Sequence, residues 1–402
     1  AILAAAGFGG GLYLGGEGRD DSASETPEFL EAYWSHPLEA QGPPPEEFTE
    51  LEASLDPAAC GQCHRSQWRQ WRESLHSESM GAGILWQLRV KTPEQAKSCM
   101  RCHAPLAEQK ALVGRELDWS GAPADAPPGH IPADLHRKGL VCAGCHVRDH
   151  TRFGPPAESN IPADKAPHGG FVGQGAFTES RFCASCHQFD EGGPSLNGKL
   201  RENTFREWQR SRYAEQGVSC QDCHMEEGRH TWKGIHDPAM VRRAIGTRLQ
   251  VEAAGAERVR VTGRLTNTGA GHKLPTYLTP KLFLQLVVFD PQGQEHEVIA
   301  ERTVGWWADA QLQGERFDTR LAPGESLSVT TRHPRRQEPG WTVGLRVRMA
   351  PQEHYERLFR HMFDQQDRMA PKTRRLLHQA LAEAKATRFT AQVKKAPLPP
   401  SP

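Results

Sequence analysis

The sequence lacks an excess of either charge, because its 402 residues contain 49 lysines and arginines and 49 aspartates and glutamates. Such a balance offers no net attraction to a polyphosphate chain, so we expect no nucleic-acid partner. Hydrophobic residues are also few, at 37% of the chain. A chain of this length has room for a substantial apolar core, so the shortage indicates that something other than side chains fills part of the interior.

Long hydrophobic runs are also missing, with one partial exception at the start. Residues 1–16 read AILAAAGFGGGLYLGG and are uncharged until Glu17, but about 20 apolar residues are needed to span a bilayer. We interpret this stretch as part of a retained signal-anchor helix, with an uncleaved signal remnant as the alternative. Gly7, Gly11 and Gly15 would give it a face of small residues against which a second membrane helix can pack.

No cysteine lies outside one repeated motif. Each copy has two cysteines separated by two residues and followed by a histidine, as in CQDCH at 220–224. This is the attachment signature of c-type haem, in which both thiols bond the porphyrin and the histidine binds iron. The five copies, called the first to fifth motifs below, predict five haems c held by Cys60, Cys63 and His64; Cys99, Cys102 and His103; Cys142, Cys145 and His146; Cys183, Cys186 and His187; and Cys220, Cys223 and His224.

Two other uses of these cysteines fit the pattern less well. Structural zinc takes four ligands per ion, so an odd number of cysteine pairs is unexpected. A disulfide framework is compatible with ten cysteines but gives no reason for the histidine after every pair. Because haem of this type is attached outside the cytoplasm, we expect a protein on the periplasmic side of a bacterial inner membrane, or alternatively one that is exported or at the cell surface.

The motifs divide the chain into segments. Residues 17–50 are acidic and proline-rich and predict a linker that holds a folded body away from the membrane. Successive motifs between residues 51 and 244 are about forty residues apart, too few for each haem to have its own core. We therefore predict one pentahaem cytochrome c domain over 51–244, mostly α-helical and irregular, with haems that lie close together.

The character of the sequence changes near residue 245. Apolar and polar residues alternate over 245–350 in runs such as KLFLQLVVFD and WTVGLRVRM, with turn-forming residues between them. This pattern predicts an immunoglobulin-like β-sandwich. Residues 351–402 return to helical periodicity and end in KKAPLPPSP, so we predict C-terminal helices and a disordered tail.

Each motif supplies one axial ligand, and five more are needed if every iron is held from both sides. We predict His76, His136, His230 and His236 as such distal ligands because each lies close in sequence to a motif. His272 lies far from any motif, in the turn NTGAGHKLPTYLTP, where flanking glycines allow a bulky group to approach closely. It is either the fifth distal ligand or a structural histidine of the turn.

The runs RFCASCHQFDEGG and NTFREWQRSRYAEQGVSCQDCHM resemble the multihaem cytochromes that include pentahaem nitrite reductases, hydroxylamine oxidoreductases and small tetrahaem carriers. The five motifs followed by NTGAGHKLPT are similar to exported multihaem cytochromes of respiratory bacteria. The resemblance implies distal-ligand roles for His76 and His230, implies one more weakly for His136, and favours one for His272. This sequence differs from the pentahaem nitrite reductases because it contains no CxxCK motif. It also contains no tyrosine that can be identified as the cross-linking tyrosine of hydroxylamine oxidoreductases.

The leading interpretation is electron transfer from haem to haem, in a membrane-anchored periplasmic subunit of a respiratory or other electron-transport complex. Its partners would be quinol-oxidising or terminal-reductase subunits, or a soluble cytochrome. One alternative is an oxidoreductase acting on a small nitrogen or sulfur species at one open haem, near arginines of RHPRRQ (332–337) or RVRM (346–349). Another is an extracellular cytochrome that polymerises through strand edges of the β-domain.

Overall fold

The computed structural model describes residues 22–157 and 165–400. The predicted signal-anchor segment, residues 1–16, lies outside these ranges. Within them, no helix combines the length and the apolar character needed to cross a bilayer. The described chain has a helical part up to residue 244, followed by a β-sandwich, two helices and a final strand.

The helical part consists of short helices separated by irregular loops, as the sequence predicts. Its described helices are α1 (Ser22–Tyr33), α2 (Glu50–Ala53), α3 (Pro57–Cys63), α4 (Arg65–Arg72), α5 (Ala82–Leu88), α6 (Pro93–His103), α7 (Ala107–Glu116), α8 (Cys142–His146), α9 (Ser180–His187), α10 (Thr204–Gln209), α11 (Arg212–Glu215), α12 (Cys220–His224) and α13 (Pro238–Ala244). Short strands lie between them: β1 (Val147–Arg148), β2 (Thr151–Gly154), β3 (Val172–Gly173), β4 (Ser195–Leu196) and β5 (Lys199–Leu200).

Four motifs lie wholly on a turn of helix, which brings their two cysteines and their histidine to one face at spacing i, i+3 and i+4. The motif ends a longer helix in α6 and α9, and it is the whole helix in α8 and α12. In the first motif, α3 ends at Cys63 and His64 follows it with a non-helical backbone. Side-chain caps fix where these helices begin. Asp56 accepts a hydrogen bond from the Ala58 N–H before α3, while Thr92 and Ser219 begin α6 and α12 with reciprocal capping boxes.

Residues 22–42 differ from the predicted linker because they pack against the helical part. Leu30, Tyr33 and Trp34, at the end of α1 and just after it, are buried. The Tyr33 hydroxyl donates a hydrogen bond of 2.7 Å to the carbonyl of Cys145 in the third motif. Acidic residues and prolines dominate the composition of this segment and conceal a short apolar face with helical spacing.

Two antiparallel sheets form the β-sandwich that the alternating pattern predicts. The strands are β6 (Ile245–Ala253), β7 (Arg258–Asn267), β8 (Lys281–Phe289), β9 (Glu295–Val304), β10 (Trp306–Ala308), β11 (Glu315–Asp318), β12 (Ser326–Pro334), β13 (Thr342–Ala350) and β14 (Phe389–Pro397). One sheet has the order β12-β7-β6 and the other β14-β13-β8-β9, while β10 pairs with β11. Leucines and valines of both sheets share one core.

The C-terminal segment contains the predicted helices, α14 (Glu353–Phe363) and α15 (Pro371–Ala386). The predicted disordered tail differs from the structure, because β14 pairs with β13 along its length and Leu398 is buried in the sandwich core. Phe359 of α14 and Leu377 of α15 pack against Trp86 of α5. The end of the chain therefore joins the sandwich to the helical part.

Candidate haem sites

The ten cysteines are unpaired, and thiols of different motifs meet. Hydrogen-bonded thiols join the first motif to the third, the second to the fourth and the fourth to the fifth: Cys60–Cys142, Cys102–Cys186 and Cys183–Cys220. Within the described ranges, no three His, Cys, Asp or Glu side chains converge as they would around zinc. Each motif thus presents its own thiol pair and histidine, which is the donor set of a haem c.

Three motif histidines are each paired with a second imidazole, and the distance between ring centres is nearly the same in the three pairs. The ring centres are 6.4 Å apart for His76 and His187, 6.1 Å for His146 and His230, and 6.3 Å for His224 and His272. A histidine nitrogen binds a metal at about 2 Å, so two imidazoles on opposite sides of one ion have ring centres roughly 6 Å apart. The chain brings the predicted distal histidines His76, His230 and His272 to this spacing.

In four of the six paired rings, and in His103, a hydrogen bond at Nδ1 leaves Nε2 free. Nδ1–H groups donate to backbone carbonyls at 2.6–3.0 Å in five histidines: His103 to Ser79, His146 to Phe153, His224 to Lys233, His230 to Gly228, and His272 to Lys273. Such a bond fixes the ring orientation and the tautomer of a metal-binding histidine. Burial lowers the pKa of His146 and of His272 to about 4, so the rings are neutral at pH 7, the form that binds iron.

The other two predicted distal histidines have different surroundings. His136 is buried, and its Nε2 lies 2.8 Å from Glu116. Although burial opposes the shift, hydrogen bonds from Lys372, His136 and Arg137 hold the pKa of Glu116 well below its usual range. Burial lowers the pKa of His236 to about 4. Neither His136 nor His236 forms a ring pair with a motif histidine.

The second motif lies beside a group of polar residues that the sequence did not predict. Among the described residues, which include every histidine of the chain, no imidazole forms such a pair with His103. Tyr355 is partly exposed on α14, but desolvation by the surrounding protein atoms raises its pKa, and the nearby Cys99 adds to that shift. Burial also raises the pKa of Glu202 to about 7, and the buried Nε of Arg201 has no hydrogen-bond partner.

These polar residues come from separate parts of the chain, so no local signal could have grouped them. Glu202 follows β5, whereas Tyr355 lies on α14 in the C-terminal segment. Burial raises the pKa of Tyr277, which precedes β8, well above its usual range, and Glu202 contributes to this. We call Arg201, Glu202, Tyr277 and Tyr355 the second-motif cluster.

Two of the arginines suggested for an anion pocket make contacts within the β-sandwich. Arg346 donates to Gln285 at 2.8 Å and also pairs with Glu295. Arg336 donates to Glu297 at 2.8 Å, and its guanidinium stacks 4.4 Å above the ring of Trp341. Both guanidinium groups therefore pair with side chains of the β-sandwich itself.

Similarity to a known structure identifies the class of fold, which is that of a multihaem cytochrome. The similar structure is the penta-heme cytochrome c552 from Thermochromatium tepidum, with a TM-score of 0.55 and 19% sequence identity, over 87% of this chain and 99% of that one. At this identity the similarity describes the fold alone. The predicted multihaem cytochrome fold is thereby confirmed, whereas the narrower lineage stays a prediction.

Other comparisons add little. No protein-family model and no curated protein matches the chain. The structure of β-glucosidase 3B from Thermotoga neapolitana in complex with α-D-glucose overlaps 27% of this chain and 14% of that one, at 21% identity. Its TM-score of 0.15 is too low to support any argument.

Proposed function

We propose that this protein transfers electrons through five covalently bound haems c. The observation that carries the proposal is the set of three imidazole pairs at 6.1–6.4 Å, each including one motif histidine. In this assignment the ten cysteines form the thioether bonds and the five motif histidines are the proximal ligands. His76 is the distal ligand at the fourth motif, His230 at the third and His272 at the fifth.

The bound haems supply one-electron redox chemistry. The residues of the chain determine how the iron would be held and which molecules could reach it. At these three motifs the paired imidazoles would hold the iron and would keep small molecules away from it, which suits electron transfer. The backbone carbonyls that accept the Nδ1–H bonds hold the rings in place.

The thiol contacts support a branched order of the cofactors. A thioether sulfur lies at the edge of a porphyrin, so thiols in contact mean that two such edges meet. The fourth motif contacts the second through Cys186 and the fifth through Cys183. Cys145 of the third motif lies close enough to Cys183 and Cys186 to raise the pKa of both thiols. Their thiol contacts and their burial raise these pKa values further. The third motif in turn meets the first, so the fourth motif is the branch point.

The ligand assignment predicts the result of His272→Ala. Loss of this imidazole is expected to convert one haem in five from low-spin to high-spin iron, measured by the visible spectrum and by electron paramagnetic resonance. Added imidazole should restore the low-spin spectrum. The matched control is His296→Ala, because His296 is exposed on β9 and contacts only Trp341 among the rings. A variant with five haems by mass and an unchanged spectrum would remove His272 from the ligand set.

A second candidate function is chemistry on a small nitrogen or sulfur species at the second motif. His103 has no imidazole partner, and the second-motif cluster supplies proton donors and a cationic group next to Cys99. The unsatisfied Nε of Arg201 is a donor that a bound anion or a haem propionate would satisfy. A carboxyl group with a pKa of about 7 is suited to proton transfer at neutral pH.

Cyanide binding tests this second candidate. One equivalent of cyanide per chain is expected to bind and to remove a high-spin band from the oxidised spectrum. Tyr355→Phe should weaken that binding several-fold, because the phenol lies close to the second motif. Tyr213→Phe is the control, since the Tyr213 hydroxyl donates to Thr268 at 3.1 Å. A wild-type spectrum that is wholly low-spin and unaffected by cyanide would leave electron transfer as the function.

The cellular setting is part of the proposal. Covalent haem attachment supports a periplasmic or otherwise exported location, with a redox protein as partner and residues 1–16 as the attachment to the membrane. Polymerisation through strand edges has less support. The edge strand β9 carries exposed charges, including Glu295, Glu297 and Glu301, and charged edges oppose strand addition.

A further inference from the structure

The first motif has a histidine without an assigned partner. Three histidines lie near His64: His146, His168 and His230. His146 and His230 already form the ring pair at 6.1 Å. Of these three histidines, His168 is the one outside that pair.

The position of His168 is fixed by contacts to segments that flank the first motif. His168 lies in the short 3-10 turn Pro167–Gly169, which packs against α2 and β2. Its backbone N–H donates to Glu52 Oε1 at 2.8 Å. Glu52 belongs to α2, which packs against α3, the helix of Cys60 and Cys63. Arg152 of β2 donates to the Glu52 carbonyl and so closes the contact between these segments.

The side chain of His168 has the same hydrogen bond as four of the six histidines of the ring pairs. Its Nδ1–H donates to the Gly170 carbonyl at 2.8 Å, which leaves Nε2 as the free nitrogen. The backbone at His168 is left-handed, with φ 47° and ψ 34°. A β-carbon makes this conformation unfavourable, and such strain is characteristic of positions held for a function.

We propose that His168 is the sixth ligand of the haem iron at the first motif, opposite His64. The inference rests on the proposed function, because it requires a haem at that motif. It removes the first motif from the candidates for small-molecule binding. The second motif is then the one without a histidine on the distal side.

The test replaces His168 in the full-length protein with its haems attached. Asparagine tolerates the left-handed backbone but does not replace the imidazole at iron. His168→Asn is expected to convert one further haem in five to high spin and to raise cyanide binding by one equivalent per chain. Added imidazole should reverse both changes. Pro167→Ala is the matched control, since it alters the same turn and keeps the imidazole.

Two further measurements make the result decisive. His168→Met keeps a sixth ligand and is expected to raise the midpoint potential of one haem. If His168→Asn does not assemble with its full haem content, the potential of His168→Met decides, and an unchanged potential overturns the assignment. An unchanged spectrum and cyanide stoichiometry in fully loaded His168→Asn would also overturn it. A wild-type mass without haem would instead refute the proposed function itself.

Discussion

Removal of both cysteines of the fourth motif, Cys183→Ala with Cys186→Ala, is expected to disconnect the electron path. Thiol contacts join this motif to the second and fifth motifs, and Cys145 of the third motif lies close enough to affect the pKa of both of its thiols. Electron tunnelling falls exponentially with distance, so the loss of the central cofactor should slow equilibration among the others by orders of magnitude. Pulse radiolysis, in which single electrons are injected and their redistribution is followed spectrally, measures this directly.

The control for this experiment is the same change at the fifth motif, Cys220→Ala with Cys223→Ala. The fifth motif contacts only the fourth through its thiols, so its loss removes one end of the path and leaves the rest connected. Both variants should contain four haems by mass and retain their secondary structure by circular dichroism. Equally fast equilibration in the two variants would contradict the branched order, while leaving haem attachment itself intact.

Local sequence signals predicted most of the architecture because they arise from short-range physics. The sequence predicted short helices and irregular segments around the motifs, and the alternating residues of 245–350 predicted strands. Composition misled the prediction at both ends of the described chain. Acidic residues and prolines concealed the buried face around Tyr33, and the proline-rich ending concealed β14 and the buried Leu398.

The site was predictable only where a ligand lies near a motif or belongs to a distinctive turn. His76 and His230 are adjacent to motifs in sequence, and the glycines around His272 marked it as unusual. His168 gave no such signal, because its position depends on a contact with Glu52, which is 116 residues away in the sequence. The second-motif cluster is likewise assembled from segments that meet only in the folded chain.

Glu353→Ala is expected to lower the free energy of unfolding by about 3 kcal/mol, because it leaves the buried Lys281 ammonium without its counter-ion. The Lys281 side chain is fully buried, and its Nζ lies 3.5 Å from Glu353 Oε2. The Nζ also donates to the Leu278 carbonyl at 2.7 Å, which places the loss toward the lower end of the usual range. Glu383→Ala, an exposed change on α15, is the control and should have almost no effect.

The dependence of this loss on pH identifies its cause. Burial lowers the pKa of Lys281 to about 8, whereas an unfolded lysine keeps its proton to about pH 10.4. The folded state therefore binds fewer protons than the unfolded state between these values, and folding is favoured as pH rises through that interval. The cost of Glu353→Ala should be largest near pH 7 and should shrink above pH 8, as Lys281 becomes neutral.

A double substitution separates lost charge compensation from lost packing. Lys281→Met with Glu353→Leu removes both charges and keeps much of the volume, so it should recover the part of the lost stability that comes from Lys281. The part that comes from Arg357, which donates to Glu353 at 2.8 Å, should remain lost. Guanidinium unfolding of fully haem-loaded proteins at pH 7 and pH 9.5 provides the measurement. If Glu353→Ala cost the same at both pH values and the double variant recovered nothing, the penalty would come from packing around α14. The charge of Lys281 would then be irrelevant to the junction between sandwich and helical part.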